Sequence, residues 1–314
     1  MRLHHDSQEF NELIELTSQR IHIPSSAVRK DYFITLILEH LAKSEYVDCV
    51  VFKGGTSLSK CYPNSIERFS EDIDLTYIPS ENMSDSQIDR KLKSIEKTLI
   101  ESASSEKVSS ERNNRNKSSY VWFSDEYKDI ERVKLEIGSS VRPHPYSRKV
   151  LKSYVHDHLE VIRAFDAISQ YQLVPIEVNV LDIERTFVDK LFSVKRHAFC
   201  GTLPEKVRHI YDVVQLFRMA EIQKFLQEHS ELKKIIRLTK DTDSAYLKKR
   251  DIPEEYNPLE KYDFEKWKDR FNSIIKSRYE TLHINLLYTD EKQNFDEAIE
   301  VFKKISIIFE RINE

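Results

Sequence analysis

Asp72 and Asp74 stand one residue apart in the run Glu-Asp-Ile-Asp-Leu. Just upstream, Gly54 and Gly55 stand side by side in a 314-residue chain that holds only four glycines. Read as a strand, Asp72 to Ile78 turns both carboxylates to one face and Ile73 and Leu75 to the other. Carboxylates this close repel each other and are costly to hold together unless a cation lies between them. Oxygen donors of this kind suit Mg²⁺ or Mn²⁺, the ions that accompany nucleoside triphosphates. For the aspartate pair alone, the other reading is a solvated strand end.

The glycines end a β-branched run, Val47 to Lys53, and open the short helical stretch Thr56 to Tyr62. Glycine lets the backbone approach a ligand closely. The N–H groups at a helix start favour an anion, and the hydroxyls of Thr56 and Ser57 add donors. Lys60 follows in the same stretch, and Arg68 and Ser70 lead into the aspartates. The expected nucleotide-binding set is therefore Gly54, Gly55, Thr56, Ser57, Lys60, Arg68 and Ser70. The plain alternatives are a tight strand–helix turn and, for Arg68, a surface salt bridge.

Phosphoryl transfer with two metals wants a third carboxylate on a neighbouring strand. In Arg132 to Val141, Val133, Leu135 and Ile137 alternate as a buried face, which puts Lys134 and Glu136 on the other. Glu136 is the candidate, and the expected metal ligands are Asp72, Asp74 and Glu136. Asp125, Glu126 and Asp129 are nearby competitors, and a surface acid is the alternative.

The elements that must position these residues can be read in outline. Helices are expected over 8–20, 26–46 (capped by Ser25 or Ser26) and about 86–102. Strands are expected at Val47–Lys53, Asp72–Ile78, Ser119–Tyr127, Arg132–Val141 and, last, Leu173–Leu181. The polar segment Ser109–Ser119 reads as a loop or hairpin turn. From Asp182 onward the pattern is helical almost to the end. The fold class is α+β: an α/β domain with a small mixed sheet over 1–181, then an all-helical domain over 182–314.

Composition narrows the class further. Hydrophobic residues make up 39% and charged residues 32%, as in an ordinary globular protein. A net charge of −4 gives no global argument for nucleic-acid binding. Three cysteines without CxxC spacing indicate neither a disulfide framework nor a zinc site. No apolar run approaches membrane-spanning length. A cytoplasmic location without membrane contact is expected.

The stretch from Lys53 to Lys60 and that from Arg68 to Leu75 together resemble the AbiEii/AbiGii-type nucleotidyltransferases. These are toxins of type IV toxin–antitoxin and abortive-infection systems, within the DNA-polymerase-β-like superfamily. Gly54-Gly55-Thr56-Ser57, Asp72/Asp74 and Glu136 follow that pattern in order, although Glu stands where Asp is commoner. The family also shows a lysine-bearing helix and then a basic-xx-D helix. These map onto Lys190 and onto Arg208 and Asp212, the last two one residue further apart than the pattern asks. The resemblance covers roughly 28–217; the C-terminal ~95 residues match nothing named. It implies NTP as substrate, Mg²⁺ or Mn²⁺ as cofactor, catalytic roles for Asp72, Asp74, Glu136, Lys190 and Asp212, a nucleotide-binding role for Arg208, and a separately encoded antitoxin as partner. It makes the 3′ end of a tRNA the expected acceptor and phage defence the expected context. Transfer to a protein or small-molecule hydroxyl, and an inactive nucleotide-binding module, remain the alternatives.

The residues bear on this mapping independently. Ile183, Phe187, Leu191 and Val194 form an apolar helical stripe, and Lys190 falls within it. A lysine there must be paired, functional or snorkelling. Arg208 and Asp212 are four apart on the polar face of their helix, where a surface ion pair is the other reading; with that helix packed over the cleft, Asp212 would instead orient Lys190 or the base. Tyr211, on the apolar side, is expected in the core. His156 and His158 have ligand chemistry but no partner cluster, and a solvated surface is expected. The tract Lys233–Arg250 could follow an RNA backbone, but acids interrupt it and a solvated face is favoured. Asp241 and Asp243 are expected in a loop.

Overall fold

The computed structural model describes residues 1–101, 103–247, 252–253, 255–285, 287–289 and 291–312. In chain order the elements are α1 (Ser7–Ile21), α2 (Ser25–Ala42), β1 (Val50–Lys53), α3 (Gly54–Cys61), β2 (Asp72–Tyr77), α4 (Asp85–Leu99), β3 (Ser104–Lys107), β4 (Asn116–Trp122), α5 (Lys128–Glu131), β5 (Val133–Gly138) and β6 (Tyr146–Leu151). They continue with α6 (Tyr154–Val161), α7 (Phe165–Gln170), β7 (Ile176–Leu181), α8 (Ile183–Phe199), α9 (Val207–Arg218), α10 (Ala220–Gln227), α11 (His229–Leu247), α12 (Ser273–Asn285) and α13 (Phe295–Arg311). The fold is α+β. The chain divides into two compact units, one of residues 1–61, 69–139 and 146–180, the other of 62–68, 140–145 and 181–314.

The first unit is built on a mixed sheet with strand order β3-β4-β5-β2-β1-β7-β6. The central β2 runs antiparallel to β1 and parallel to β5, while β1 runs parallel to β7. Alternation along β2 and β5 buries Ile73, Leu75, Val133, Leu135 and Ile137 on one face. Helices α2 and α4 pack on that side. α4 is amphipathic, with Ile88, Leu92, Ile95 and Leu99 buried at helical spacing. Ser84 and Gln87 close its start as a reciprocal capping box.

Several expectations change here. Pro24, not a serine, stands at the cap of α2, and the Ser25 hydroxyl donates instead to Glu15 at 2.6 Å. β3 and β6 are strands that the sequence did not announce. β3 (Ser-Ser-Glu-Lys) is exposed at every position, so it carries no apolar alternation. It is the first arm of a hairpin with β4; of the polar stretch expected as a turn over Ser109–Ser119, residues 116–119 belong to β4 itself, which ends at Trp122 rather than running to Tyr127. α6 and α7 also went unread, and α6 buries His156 and His158 rather than leaving them in solvent.

The second unit is helical. Its core gathers Phe264, Trp267, Phe271 and Phe302 as a run of edge-to-face ring pairs, with Phe295 stacked on Phe271. Tyr211 lies fully buried on α9, as its helical position predicts. Asp241 and Asp243 are in α11, not in a loop. The Asp243 carboxylate is buried and accepts from the Tyr256 hydroxyl at 2.8 Å and from Arg196. The tract 233–250 is thus mostly α11, and residues 248–250 lie outside the described residues.

Candidate active site

The site begins with strand register. In the first unit Asp74 is the cross-strand partner of Lys53 on β1 and of Glu136 on β5, and Glu136 is in turn opposite Ser118 on β4. Asp72 is opposite Lys134, and Lys134 opposite Tyr120. Register partners share a face. Lys53, Asp72, Asp74, Lys134, Glu136, Ser118 and Tyr120 therefore project from the side opposite α2 and α4. The sheet thus brings the two aspartates and the glutamate picked from sequence into one row.

Gly54 explains itself in this setting. Its φ is +87°, a left-handed conformation that L side chains rarely adopt. A Cβ there would overlap Asp74 Oδ2 and lie 3.1 Å from Asp74 Cγ. The first glycine of the pair therefore turns the strand into α3 and leaves room for the second carboxylate. Gly54→Ala is expected to cost about 1–3 kcal/mol from backbone strain and the displaced carboxylate, read as a fall in midpoint in chemical unfolding. A midpoint unchanged from wild type would show that the turn relaxes freely.

The hydroxyls picked around the turn are also placed. Thr56 donates to Ser70 Oγ at 3.0 Å, and Ser57 closes the first turn of α3 by donating to the Gly54 carbonyl at 3.0 Å. Lys60 does not join them. Its ammonium is buried against Asp31 of α2 and donates to the Lys152 carbonyl at 3.1 Å. The other Asp31 oxygen accepts from the Tyr154 N–H at 2.8 Å. Lys60 thus ties α3 to α2 and to the start of α6.

Charge along the row is uneven. Burial, then Asp74, and then Glu71 push the Asp72 carboxyl up to about 6. Lys134 opposes this shift, and Glu136 adds to it. Lys134 Nζ is 2.6 Å from Glu136 Oε1 and 2.8 Å from Glu111 Oε2. Glu111, on the connection between β3 and β4, also accepts from the Ser118 hydroxyl at 2.8 Å. Alternation alone puts Lys134 on the carboxylate face. Nothing in the polar run around Glu111 signals that this residue belongs there.

The raised Asp72 value makes the site a local liability. The unfolded carboxyl releases its proton near pH 4, while the folded one keeps it to about 6. Between those values the folded form binds more protons, so stability falls as pH rises through the window. In metal-free buffer Asp72→Asn is expected to be more stable than wild type above pH 6, by about 1–3 kcal/mol. The gap should close by about pH 4. Denaturant midpoints across that range check this, and a gap of the same size at both ends would contradict it.

The residues present fit a divalent ion in part. Asp72 and Asp74 present two carboxylates on one face, and burial together with Asp74 raises the Asp72 carboxyl in spite of Lys134. Glu136 lies in the row, but its carboxylate rests on Lys134. Among the described residues no three His, Cys, Asp or Glu side chains stand together as a ligand group.

The remaining picked residues belong to the helical unit. Arg68 reaches Asp212 through both arms of its guanidinium, Nε to Oδ1 at 2.6 Å and Nη2 to Oδ2 at 2.8 Å. Lys190 Nζ is 2.7 Å from Asp212 Oδ2. All three are buried. Burial alone would raise the Asp212 carboxyl, but Arg68 and then Lys190 outweigh it and hold the group well below the usual carboxylate range. Arg68 is thus neither at the surface nor paired with solvent, and Asp212 is not paired with Arg208 as the spacing suggested. Arg208 lies half-exposed on α9.

A strand, a glycine turn into a helix and a neighbouring strand with its carboxylates in a row is the frame of a nucleotidyltransferase. The family described as nucleotidyl transferase AbiEii toxin, type IV TA system, matches residues 36–301, and the chain belongs to that family. It is a nucleotidyltransferase of the type IV toxin class, with an antitoxin as the partner the family implies. Among proteins of curated function no sequence match is found. Similar solved structures include MenT4, a nucleotidyltransferase toxin from Mycobacterium tuberculosis, at 15% identity and TM-score 0.48 over 95% of this chain and 98% of that one. JHP933 from Helicobacter pylori is similar at 18% identity and TM-score 0.40, over 83% of this chain and 95% of that one. Among the described residues no helix is long and apolar enough to cross a membrane.

Proposed function

We propose that the chain transfers a nucleoside monophosphate from an NTP to the 3′-terminal hydroxyl of a tRNA, with Mg²⁺ or Mn²⁺ held by Asp72 and Asp74, in the cytoplasm. The observation that carries this reading is the register row in which Asp74 stands between Gly54 and Glu136. A divalent ion there would neutralise triphosphate charge and polarise the α-phosphate. The backbone at Gly54 and Gly55, where α3 starts, and the hydroxyls near it would fix the phosphates. Glu136 would accept a hydrogen bond from the acceptor hydroxyl and take its proton as the new bond forms. The acceptor oxygen bonds to the α-phosphorus, the bond to the β-phosphate oxygen breaks, and pyrophosphate leaves with the electron pair. Within the helical unit, Asp212 fixes the direction of the Lys190 ammonium.

The test is label transfer. Purified protein, Mg²⁺ and bulk tRNA are incubated with each α-labelled NTP in turn, beside an Asp72→Ala/Asp74→Ala variant. Label on tRNA with wild type only, accompanied by pyrophosphate, supports the reading and reports the base used. Label on protein instead would move the acceptor to a protein hydroxyl. Binding without pyrophosphate release would make the chain a nucleotide-binding module.

A further inference from the structure

The sequence makes Glu136 a third metal ligand; its surroundings argue for another role. We propose that the divalent ion is taken by Asp72 and Asp74 alone. In this assignment, Glu136 is reserved for the acceptor hydroxyl by Lys134, a positioning residue held in turn by Glu111. This deepens the nucleotidyl-transfer reading and rests on it.

The argument starts from β5. Lys134 and Glu136 are two apart on one strand, so both side chains leave the same face. The Lys134 ammonium bridges Glu136 Oε1 at 2.6 Å and both oxygens of Glu111, at 2.8 and 3.0 Å. Its side chain is only 19% exposed, so these contacts lie within the fold rather than on a free surface. Lys134 is opposite Asp72, and Glu136 opposite Asp74. Because Lys134 stands opposite Asp72, its charge bears on the ion in either arrangement. Were Glu136 to ligate the ion as well, it would give up its contact with that ammonium and leave the two positive charges without a carboxylate between them in a half-buried site.

The charges sort differently when the roles are split. Asp72 and Asp74 carry two negative charges, which match one divalent ion. Glu136 and Glu111 share one ammonium and leave a single negative charge on the β5 side. A carboxylate held by a lysine is fixed in direction and keeps a lone pair for one more donor. That is what orienting an acceptor hydroxyl requires. The order across the sheet is then the glycine turn and α3 for the phosphates, β2 for the metal, and β5 for the acceptor.

The experiment separates metal binding from transfer. Mn²⁺ is titrated calorimetrically into the full chain, without nucleotide, for wild type, Asp72→Asn, Asp74→Asn, Glu136→Gln and Lys134→Met. The two Asn variants should weaken Mn²⁺ at least about tenfold, and Glu136→Gln and Lys134→Met should stay within about twofold. In the transfer assay the last two should lower kcat about tenfold or more with KM for the NTP within about twofold, and Lys134→Arg should recover part of the loss. Loss of Mn²⁺ in Glu136→Gln as large as in Asp74→Asn would overturn the proposal. So would a Lys134→Met variant with unchanged kcat. If wild type transfers nothing to any acceptor, the nucleotidyl-transfer reading fails, yet the Mn²⁺ titrations still decide which carboxylates hold the ion. Circular dichroism spectra of each variant guard against misfolding, and Glu136→Asp, which keeps the charge, serves as second variant if Glu136→Gln unfolds.

Discussion

Asp74→Asn lowers nucleotide transfer by at least about 10²–10³-fold, the usual cost of removing one group that stabilises transition-state charge. The expected loss is large because Asp74 is the centre of the site by three separate measures. It is the register partner of both Lys53 and Glu136, and the group for which Gly54 must lack a side chain. Asparagine keeps the shape, so it does not disturb the turn; it removes the charge that would hold the proposed divalent ion. It also relieves the repulsion on Asp72, so the folded protein should be no less stable than wild type. That combination, lost transfer with intact folding, is the signature of a functional rather than a structural carboxylate. Thermal midpoint and label transfer are measured on the same preparation. A variant retaining a third or more of wild-type activity would remove Asp74 from the metal site.

How much of this was legible in the sequence depends on how local the cause is. The Gly-Gly turn and the aspartate pair are local: φ at Gly54 and alternation along β2 are set by neighbours within a few residues. The placing of Glu136 on the face of the aspartates was legible for the same reason, since β5 alternates cleanly between Val133 and Gly138. What failed was non-local. Lys60 sits one turn along α3 from the glycines, yet its charge goes to Asp31, 29 residues earlier. Glu111 lies in a polar turn without periodicity and meets Lys134 only because β3 and β4 form a hairpin. His156 and His158 looked solvated because α6 itself was invisible, being only eight residues long and following a strand, β6, that was equally unread. The lysine on the apolar stripe of α8 was marked as needing a partner, and Asp212 was the alternative named to orient it, as the fold shows. Arg208, four residues from Asp212, was the sequence-near candidate; Arg68, 144 residues away, is the one the fold supplies.

Asp212→Asn should for that reason be the most destabilising single change in the helical unit. Arg68 and Lys190 share this carboxylate as a counter-ion in a fully buried position. Removing one member of a buried ion cluster costs about 3–5 kcal/mol, because charge stays behind in a low-dielectric setting. That is a large share of a typical folding free energy of about 5–15 kcal/mol. The effect also has a pH signature. The folded carboxyl is held below its unfolded value of about 4, so its contribution is complete above that pH and is lost as pH falls through and below it. The gap between wild type and Asp212→Asn should therefore be constant from about pH 8 to 5 and narrow on acidification. Arg208→Ala, on the half-exposed face of the same helix, should cost under about 0.5 kcal/mol. A further comparison isolates the charge. The triple change Arg68→Met, Lys190→Met, Asp212→Leu removes all three charges at roughly constant volume, and replacing a buried ion triad by apolar groups is often neutral or stabilising. It should therefore be more stable than Asp212→Asn alone. Denaturant midpoints for the four proteins decide the matter. If the triple variant is the least stable of them, the cluster's value lies in its hydrogen-bond geometry rather than in the balance of buried charge.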